Sequence, residues 1–447
     1  MGIKNRGELI TSPLREQVLN IIEAGIKRVL PPVIMESAVD YNPDRRLLTL
    51  NDFSFPLDNG RLFVIGGGKA SGRMAETLEK IVPPEFITAG IVNCKGGDFK
   101  TGRIEMVKAG HPVPDEAGLD GVKRMLALKK EYSVNGNDLV LCLISGGGSA
   151  LMPCPVEGVS LEDKQIVTEL LLSSGADINE INSVRKHLSG TKGGRLGQYF
   201  APATVVSLIL SDVIGNNLDV IASGPTCPDP STFADACGVL EKYDLLTKVP
   251  ESVSAYLVKG CSGEVPETPK ILGNCRNFII GDNRMALEEM EKEAVRMGFV
   301  PYIITAEQKG ATAIVARLRA GEILGGEYDK YDLLLIGGET TPKLPGNPGK
   351  GGRNQHYAAV SMIELKDYPG EWVLASVGTD GSDYLPDVAG AIVDNNTLAI
   401  ANEKGIDVES YLIRYDSNTL LKAISGSLVI TGNTGTNVGD VIVYALK

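Results

Sequence analysis

Residues 138–150 read DLVLCLISGGGSA, and this stretch decides the fold. Six apolar residues, Leu139 to Ile144, stop abruptly at Ser145-Gly146-Gly147-Gly148-Ser149. A strand that is apolar throughout is buried on both faces, as in mainly parallel sheets covered by helices. Helical spacing resumes from Leu161. Strand, glycine loop and helix form the repeating unit of an α/β fold. The same order opens earlier, where RLFVI (61–65) runs into Gly66-Gly67-Gly68 and then ASGRMAETLEKIV, a helical pattern. Four more apolar runs, at 203–210, 278–280, 332–336 and 372–377, each end in a Gly, Ser, Asp or Glu cluster. In such sheets ligands bind at the carboxyl ends of strands.

A chain of 447 residues exceeds what one hydrophobic core serves. KVPES (248–252) and KGCSGEVPETPK (259–270), rich in Pro, Gly and Lys, suggest a boundary between domains at 1–245 and 246–447. The closing SLVITGNTGTNVGDVIVYAL (427–446) reads as two strands around a Gly/Thr/Asn loop, with a return to the first domain left open. At the other end, Ser12-Pro13 reads as helix cap and first turn. Leu14, Val18, Ile21, Ile22, Ile26 and Val29 then keep helical spacing up to Pro31-Pro32.

The net charge of −12 argues against nucleic acid or an anionic membrane as general partners, while leaving room for a local basic site. Seven cysteines without CxxC spacing make neither a disulfide framework nor a zinc site, which suits a reducing cytoplasm. The start lacks the apolar core of a signal peptide. No apolar run reaches the ~18 residues that a membrane span needs.

Several clusters carry chemistry. GGGKASG (66–72) is not a P-loop, because Ala70 follows Lys69, nor a dinucleotide fingerprint, because Ser71 stands where its last glycine belongs. Its general physics is backbone N–H groups and one lysine near an anion; the competing reading is a tight turn. SGGGSA (145–150) is a second loop of that kind. Two such loops in one domain favour an extended phosphate, such as a nucleoside triphosphate. NSVRKHLSGTKGGRL gathers Arg185, Lys186, Lys192 and Arg195 in an acidic chain; forked arginine donors suit carboxylate or phosphate. Carboxylates follow strands at Asp212, Glu339, Asp380 and Asp383, where one or two could hold a divalent metal beside phosphates or simply cap turns. Arg353 follows Gly351-Gly352 at the start of a helical pattern, placed to meet charge that spreads over a transferring phosphate. His111, His187 and His356 show no triad or metal-pair spacing.

In order along the chain, GGGKASG, GHPVPDE, LISGGGSALMPCP, NSVRKHLSGTKGGRL, SDVIGNNLDVIASGPT, GGETT, GKGGRNQ, SVGTDGSD and TGNTGTNVGD resemble the glycerate 2-kinases that carry a C-terminal MOFRL domain. The resemblance spans residues 66–440. It implies two dissimilar three-layer α/β/α domains, the N-terminal one Rossmann-like with a mainly parallel sheet, and an active site in the interdomain cleft. It also implies transfer of the γ-phosphoryl group of ATP to O2 of D-glycerate, with ATP as co-substrate and Mg²⁺ or a similar divalent cation; a monomer or homodimer is expected, the choice between them being open. By motif, Lys69 and Arg353 carry over as catalytic residues, with Asp212 as a base or metal candidate. Gly66, Gly67 and Gly68 and the loop Ser145, Gly146, Gly147, Gly148 and Ser149 carry over as nucleotide-phosphate loops. Arg185 and Lys192 are expected on the substrate carboxylate, and Asp212, Glu339 and Asp380 are the metal candidates. Two positions depart from the family pattern: Asn216 replaces an acidic residue after SDV, and Asn433 replaces a proline. The competing functions are a nicotinamide-dependent hydroxypyruvate reductase, whose dinucleotide signals are missing, and a non-catalytic sugar-phosphate sensor.

Overall fold

The computed structural model describes residues 2–447. It divides into two compact units, one of Ile34–Ile280 and one of residues 2–33 with Gly281–Lys447.

The first unit begins with a small antiparallel sheet of β1 (Val39–Asn42), β2 (Leu47–Leu50) and β3 (Phe53–Pro56). Its main sheet holds β4 (Leu62–Gly67), β5 (Ile87–Cys94), β6 (Ile104–Lys108), β7 (Leu139–Ser145), β8 (Thr204–Leu210) and β9 (Cys275–Gly281), in the order β6-β5-β4-β7-β8-β9. Strands β4 to β8 are mutually parallel. β4 and β7 are buried along their whole length, which is why their sequences show no alternation. Each fully buried aliphatic side chain there contributes about 1.5–3 kcal/mol. Gly67 pairs with Ile144, and Ser145 with Leu210, so the loops leaving β4, β7 and β8 emerge side by side. The helices Leu161–Ser174, Ile178–His187, Phe233–Lys242 and Glu251–Cys261 share a separate apolar core around Leu171, Val184, Leu240 and Leu257.

The second unit holds β10 (Pro301–Gln308), β11 (Leu333–Gly338), β12 (Trp372–Gly378), β13 (Gly390–Asp394), β14 (Leu428–Val429) and β15 (Asp440–Leu446), in the order β10-β11-β15-β12-β13-β14. Only β10 and β11 are parallel, and every other pair is antiparallel. The apolar runs 332–336 and 372–377 therefore look like parallel strands without being in a parallel sheet. Burial on both faces removes alternation whatever the strand direction. Leu334, Ile336, Leu374, Ile442 and Tyr444 pack on one side with the helices Thr312–Leu324 and Arg353–Glu364. The helices Pro13–Arg28 and Asn283–Arg296 pack together and also on the sheet. Gly25 makes their close approach possible, since a Cβ there would overlap the Met290 side chain at 2.5 Å.

The expected boundary at 245 is displaced at both ends. Helix Glu251–Cys261 buries Val253 and Leu257 in the first unit's helical core, and β9, expected beyond the boundary, is the edge of the first sheet. The Pro/Gly-rich 262–274 stretch is thus a surface connection within one unit. The N-terminal helix joins the second unit, where Arg15 forms a buried ion pair with Asp394 at 2.6 Å. Its cap is as expected, with the Ser12 side chain accepting from the Arg15 amide; Pro31-Pro32 open a further short helix, Pro31–Ala38. β15 does not return to the first sheet: it lies between β11 and β12. All seven cysteines are free. Among the described residues no helix is long and apolar enough to cross a membrane.

Candidate active site

In the first unit the two glycine loops are bonded to each other. The Lys69 amide donates to the Gly146 carbonyl at 2.8 Å, and the Ala70 amide donates to Ser145 Oγ at 2.9 Å. The Gly68 amide donates to the Asn93 carbonyl and the Ser71 amide to the Gly68 carbonyl. This corrects one expectation. The Gly68, Lys69, Ala70 and Ser71 amides hold the fold together, so what these residues leave for an anion is the Lys69 side chain. Gly68 is obligatory because any side chain there would run into Ser145. Gly146 packs just as closely on the Asp212 carboxylate, which arrives from the end of β8. Three neighbouring parallel strands thus bring together Lys69, the Ser145–Ser149 loop and Asp212.

Beside this loop lies a cavity of about 190 Å³ lined by Gly147, Ser149, Lys164, Arg185 and Lys192, with His111 at its wall. The expected phosphate loop and the expected carboxylate ligands therefore share one space. The Lys192 ammonium donates to the Ser149 carbonyl at 2.9 Å. Burial, with Lys164 and Arg185 near, holds it well below the usual lysine range. Burial also lowers Arg185. His111, whose ring lies against Gly147 and near the Lys69 stem, is pushed down to about 4 by burial, and Lys69 and Lys95 add to the shift. It is neutral at physiological pH. The rest of the basic run is structural: Lys186 pairs with Asp219 at 3.0 Å and Asp229 at 3.1 Å, and Arg195 donates to the Ser189 carbonyl. Asn182 lies on the same helix as Arg185 and accepts from Ser223, whose hydroxyl meets that of Ser149 at 2.7 Å.

The second unit gathers its own polar cluster where β11 and β12 end and β15 begins. Gly338 and Gly378 both pair with Asp440. Arg353, first residue of its helix, donates to Asp440 through Nε at 2.6 Å and Nη2 at 3.0 Å, and its Nη1 lies 2.9 Å from Glu339. These carboxylates raise its already high pKa further, against burial, the largest influence. Asp383 is buried beneath the same helix start. It accepts from the backbone amides of Asn354 and Gln355 and from both of their side-chain amides. Burial, with Asp440 adding, nevertheless pushes it up to about 6. Asp380 accepts from the Ser382 amide at 2.9 Å, a turn contact. Arg353 and Asp383 also border a cavity of about 310 Å³ with Leu344, Tyr384 and Tyr415.

Of the metal candidates, Asp212 belongs to the first unit and Glu339 and Asp380 to the second. Among the described residues no three His, Cys, Asp or Glu side chains gather as a metal site. Two residues escaped the sequence reading: Lys164, in a helix whose sequence carries little amphipathic signal, and Asp440. Asp440 could have been noticed as an acid opening the otherwise apolar run DVIVYAL.

Comparison with known proteins gives this geometry a family. Residues 17–258 match the model described as a domain of unknown function, DUF4147, and residues 332–440 match the MOFRL family. A glycerate 2-kinase of Pyrococcus horikoshii is 41% identical over 97% of this chain and 98% of its own. The chain belongs to the glycerate kinase family. A D-glycerate 2-kinase of Thermotoga maritima is 40% identical over 94% of the chain and 98% of its own length. The crystal structure of a Thermotoga maritima glycerate kinase superposes with a TM-score of 0.84 at 38% identity, covering 97% of this chain and 99% of that one. A relative in Agrobacterium vitis, 39% identical over 86% of each chain, bears the name putative hydroxypyruvate reductase. As a member of the glycerate kinase family, the protein is a phosphotransferase with an alcohol acceptor, the mixed α/β fold being shared with these relatives.

Proposed function

We propose that the protein transfers the γ-phosphoryl group of ATP to O2 of D-glycerate, giving 2-phosphoglycerate and ADP. The observation that carries this reading is the 41% identity to a glycerate 2-kinase along nearly the whole chain. The cavity beside the Ser145–Ser149 loop agrees with it, since the side chains that charge its lining are all cationic.

In this reading Arg185 and Lys192 hold the glycerate carboxylate, and the Gly147–Ser149 backbone receives nucleotide phosphate. Lys69 meets the charge that spreads over the transferring group, which in a loose phosphoryl-transfer transition state is the main demand on the protein; Arg353 is the second unit's catalytic candidate. Arg353 is held ready by Asp440 and Glu339, which fix its fork before substrate arrives. Mg²⁺ takes one or two carboxylates together with phosphate oxygens and water. Asp212, pressed against Gly146, fits that need with a hard oxygen donor. Glu339 is engaged by Arg353, and Asp380 accepts from the Ser382 amide. When bound, the ion neutralises phosphate charge. Asp212 is equally placed to accept the proton of the attacking hydroxyl. A reducing cytoplasm, where seven free thiols persist, suits the protein.

Incubation of pure protein with ATP, Mg²⁺ and D-glycerate, followed by phosphorus NMR, tests the reading. A 2-phosphoglycerate resonance with matching ADP is expected; 3-phosphoglycerate would overturn the position of transfer, and no product would overturn the reaction. The name of the Agrobacterium relative motivates one second reading, hydroxypyruvate reduction. NADH formation from NAD⁺ and D-glycerate would establish it in place of the kinase.

A further inference from the structure

Lys164 is the cation of the first unit that the fold leaves unexplained. It lies on helix Leu161–Ser174 and lines the 190 Å³ cavity with Ser149, Arg185 and Lys192. Only 8% of its surface is exposed, and its Nζ has no hydrogen-bond partner. A buried amine with its donors unmade costs stability that an apolar residue of the same length would not. Burial pushes its ammonium down to about 7; Arg185 and Arg195 add to the shift, and the Cys154 thiol opposes it. Neither the packing of the helix nor an ion pair accounts for a lysine here.

A ligand does. The cavity brings Lys164 together with Arg185 and Lys192, and no Asp or Glu lines it. Three basic groups without a counter-charge form a site for an anion, whose arrival would favour the charged forms that burial now opposes. About 190 Å³ is room for a three-carbon acid. We infer that Lys164 is a direct ligand of the acceptor's carboxylate, acting with Arg185 and Lys192 to select a short hydroxy acid. This assignment rests on the kinase reading above and names a contact within it.

The test is Lys164→Met, which keeps the stem and removes the amine. In the empty protein this variant is expected to melt higher than wild type, because an unpaired buried amine has gone. D-Glycerate should raise the melting temperature of wild type and not of the variant, while ADP with Mg²⁺ should stabilise both alike. In turnover, KM for D-glycerate should rise on the order of 10- to 100-fold, the loss of one charge-assisted hydrogen bond. KM for ATP should stay unchanged, and Lys164→Arg should restore part of the loss. A variant that melts lower and still responds to D-glycerate as wild type does overturns the assignment. So does one that loses the ADP response instead, which would make the cavity a phosphate site. The melting measurements need no turnover. If wild type makes no ADP yet its glycerate response vanishes in Lys164→Met, the kinase reading fails and the carboxylate site stands.

Discussion

Arg353 and Asp440 form a two-pronged ion pair, Nε to Oδ2 at 2.6 Å and Nη2 to Oδ1 at 3.0 Å, across 87 residues of sequence. Asp440 also accepts from the Asn354 side-chain amide at 2.9 Å, so one carboxylate fixes both the arginine and the helix start that bears it. Asp440→Asn keeps the shape and removes the charge. It is expected to lower kcat by roughly 10-fold or more through loss of a fixed guanidinium orientation. Arg353→Ala should lower it by on the order of 10²-fold. Steady-state kinetics on folded variants, checked by circular dichroism, decide this. Equal activity of Asp440→Asn and wild type would remove Asp440 from any positioning role.

Lys69 contributes to the site through its side chain, its amide being engaged with the Gly146 carbonyl. Lys69→Ala keeps that amide bond. The variant should therefore melt within a few degrees of wild type and lose on the order of 10²-fold in kcat. A large fall in melting temperature would mean that the side chain serves the fold.

Much of this was legible in the chain. The runs before Gly66 and Ser145 announced β4 and β7 as strands ending in glycine loops, whereas the bonding of Lys69 to the SGGGS loop depends on β4 and β7 being neighbours in the sheet, which the pattern does not show. Arg185 and Lys192 stood out as anion-site candidates because basic residues cluster around glycines in an acidic protein, and the structure brings both to one cavity. Strand direction in the second sheet was not readable, since residues buried on both faces, such as Leu333 to Ile336, carry no mark of their neighbours. The destination of the N-terminal helix was equally hidden: its apolar face declares that it packs, and only Arg15 meeting Asp394 declares where. Lys164 escaped notice because lysines are almost always exposed, and its helix carries too weak a periodicity to mark which face is buried.

Arg15 makes a sharper test of that last contact. Its guanidinium reaches Asp394 at 2.6 Å, Thr397 Oγ1 at 2.9 Å and the Gly426 carbonyl at 2.6 Å. Arg15→Met leaves Asp394 buried without its cation. A loss of about 3–5 kcal/mol is expected in urea unfolding of the second unit. A loss below 1 kcal/mol would show that the N-terminal helix is held by apolar packing alone.

Asp383 supplies a pH signature. Its pKa lies near 6, above the ordinary 3.8, so the folded chain holds this proton more firmly than the unfolded one. The stability this adds is complete below about pH 4 and is lost as pH rises through 6. Asp383→Asn cannot titrate. The stability of wild type relative to that variant should therefore increase as pH falls from 7 to 4, measured by denaturant unfolding at each pH. A difference that is flat with pH, or that shrinks on acidification, contradicts the assignment.

Gly146 and Asp212 provide the last test. The Asp212 carboxylate packs against the bare Cα of Gly146, so the methyl of Gly146→Ala must displace it. A displacement of about 1 Å at a reacting centre can cost on the order of 10²-fold in rate. Gly146→Ala should therefore lose activity to nearly the extent of Asp212→Asn. Because both changes act on one carboxylate, the double variant should be little worse than either single one. If the two losses multiply instead, Gly146 acts independently of Asp212, and the glycine serves the loop's own approach to phosphate. Mg²⁺ titration separates the two roles of Asp212. A metal ligand that is displaced needs more Mg²⁺ for half-maximal rate, whereas a displaced proton acceptor lowers the rate at every Mg²⁺ concentration.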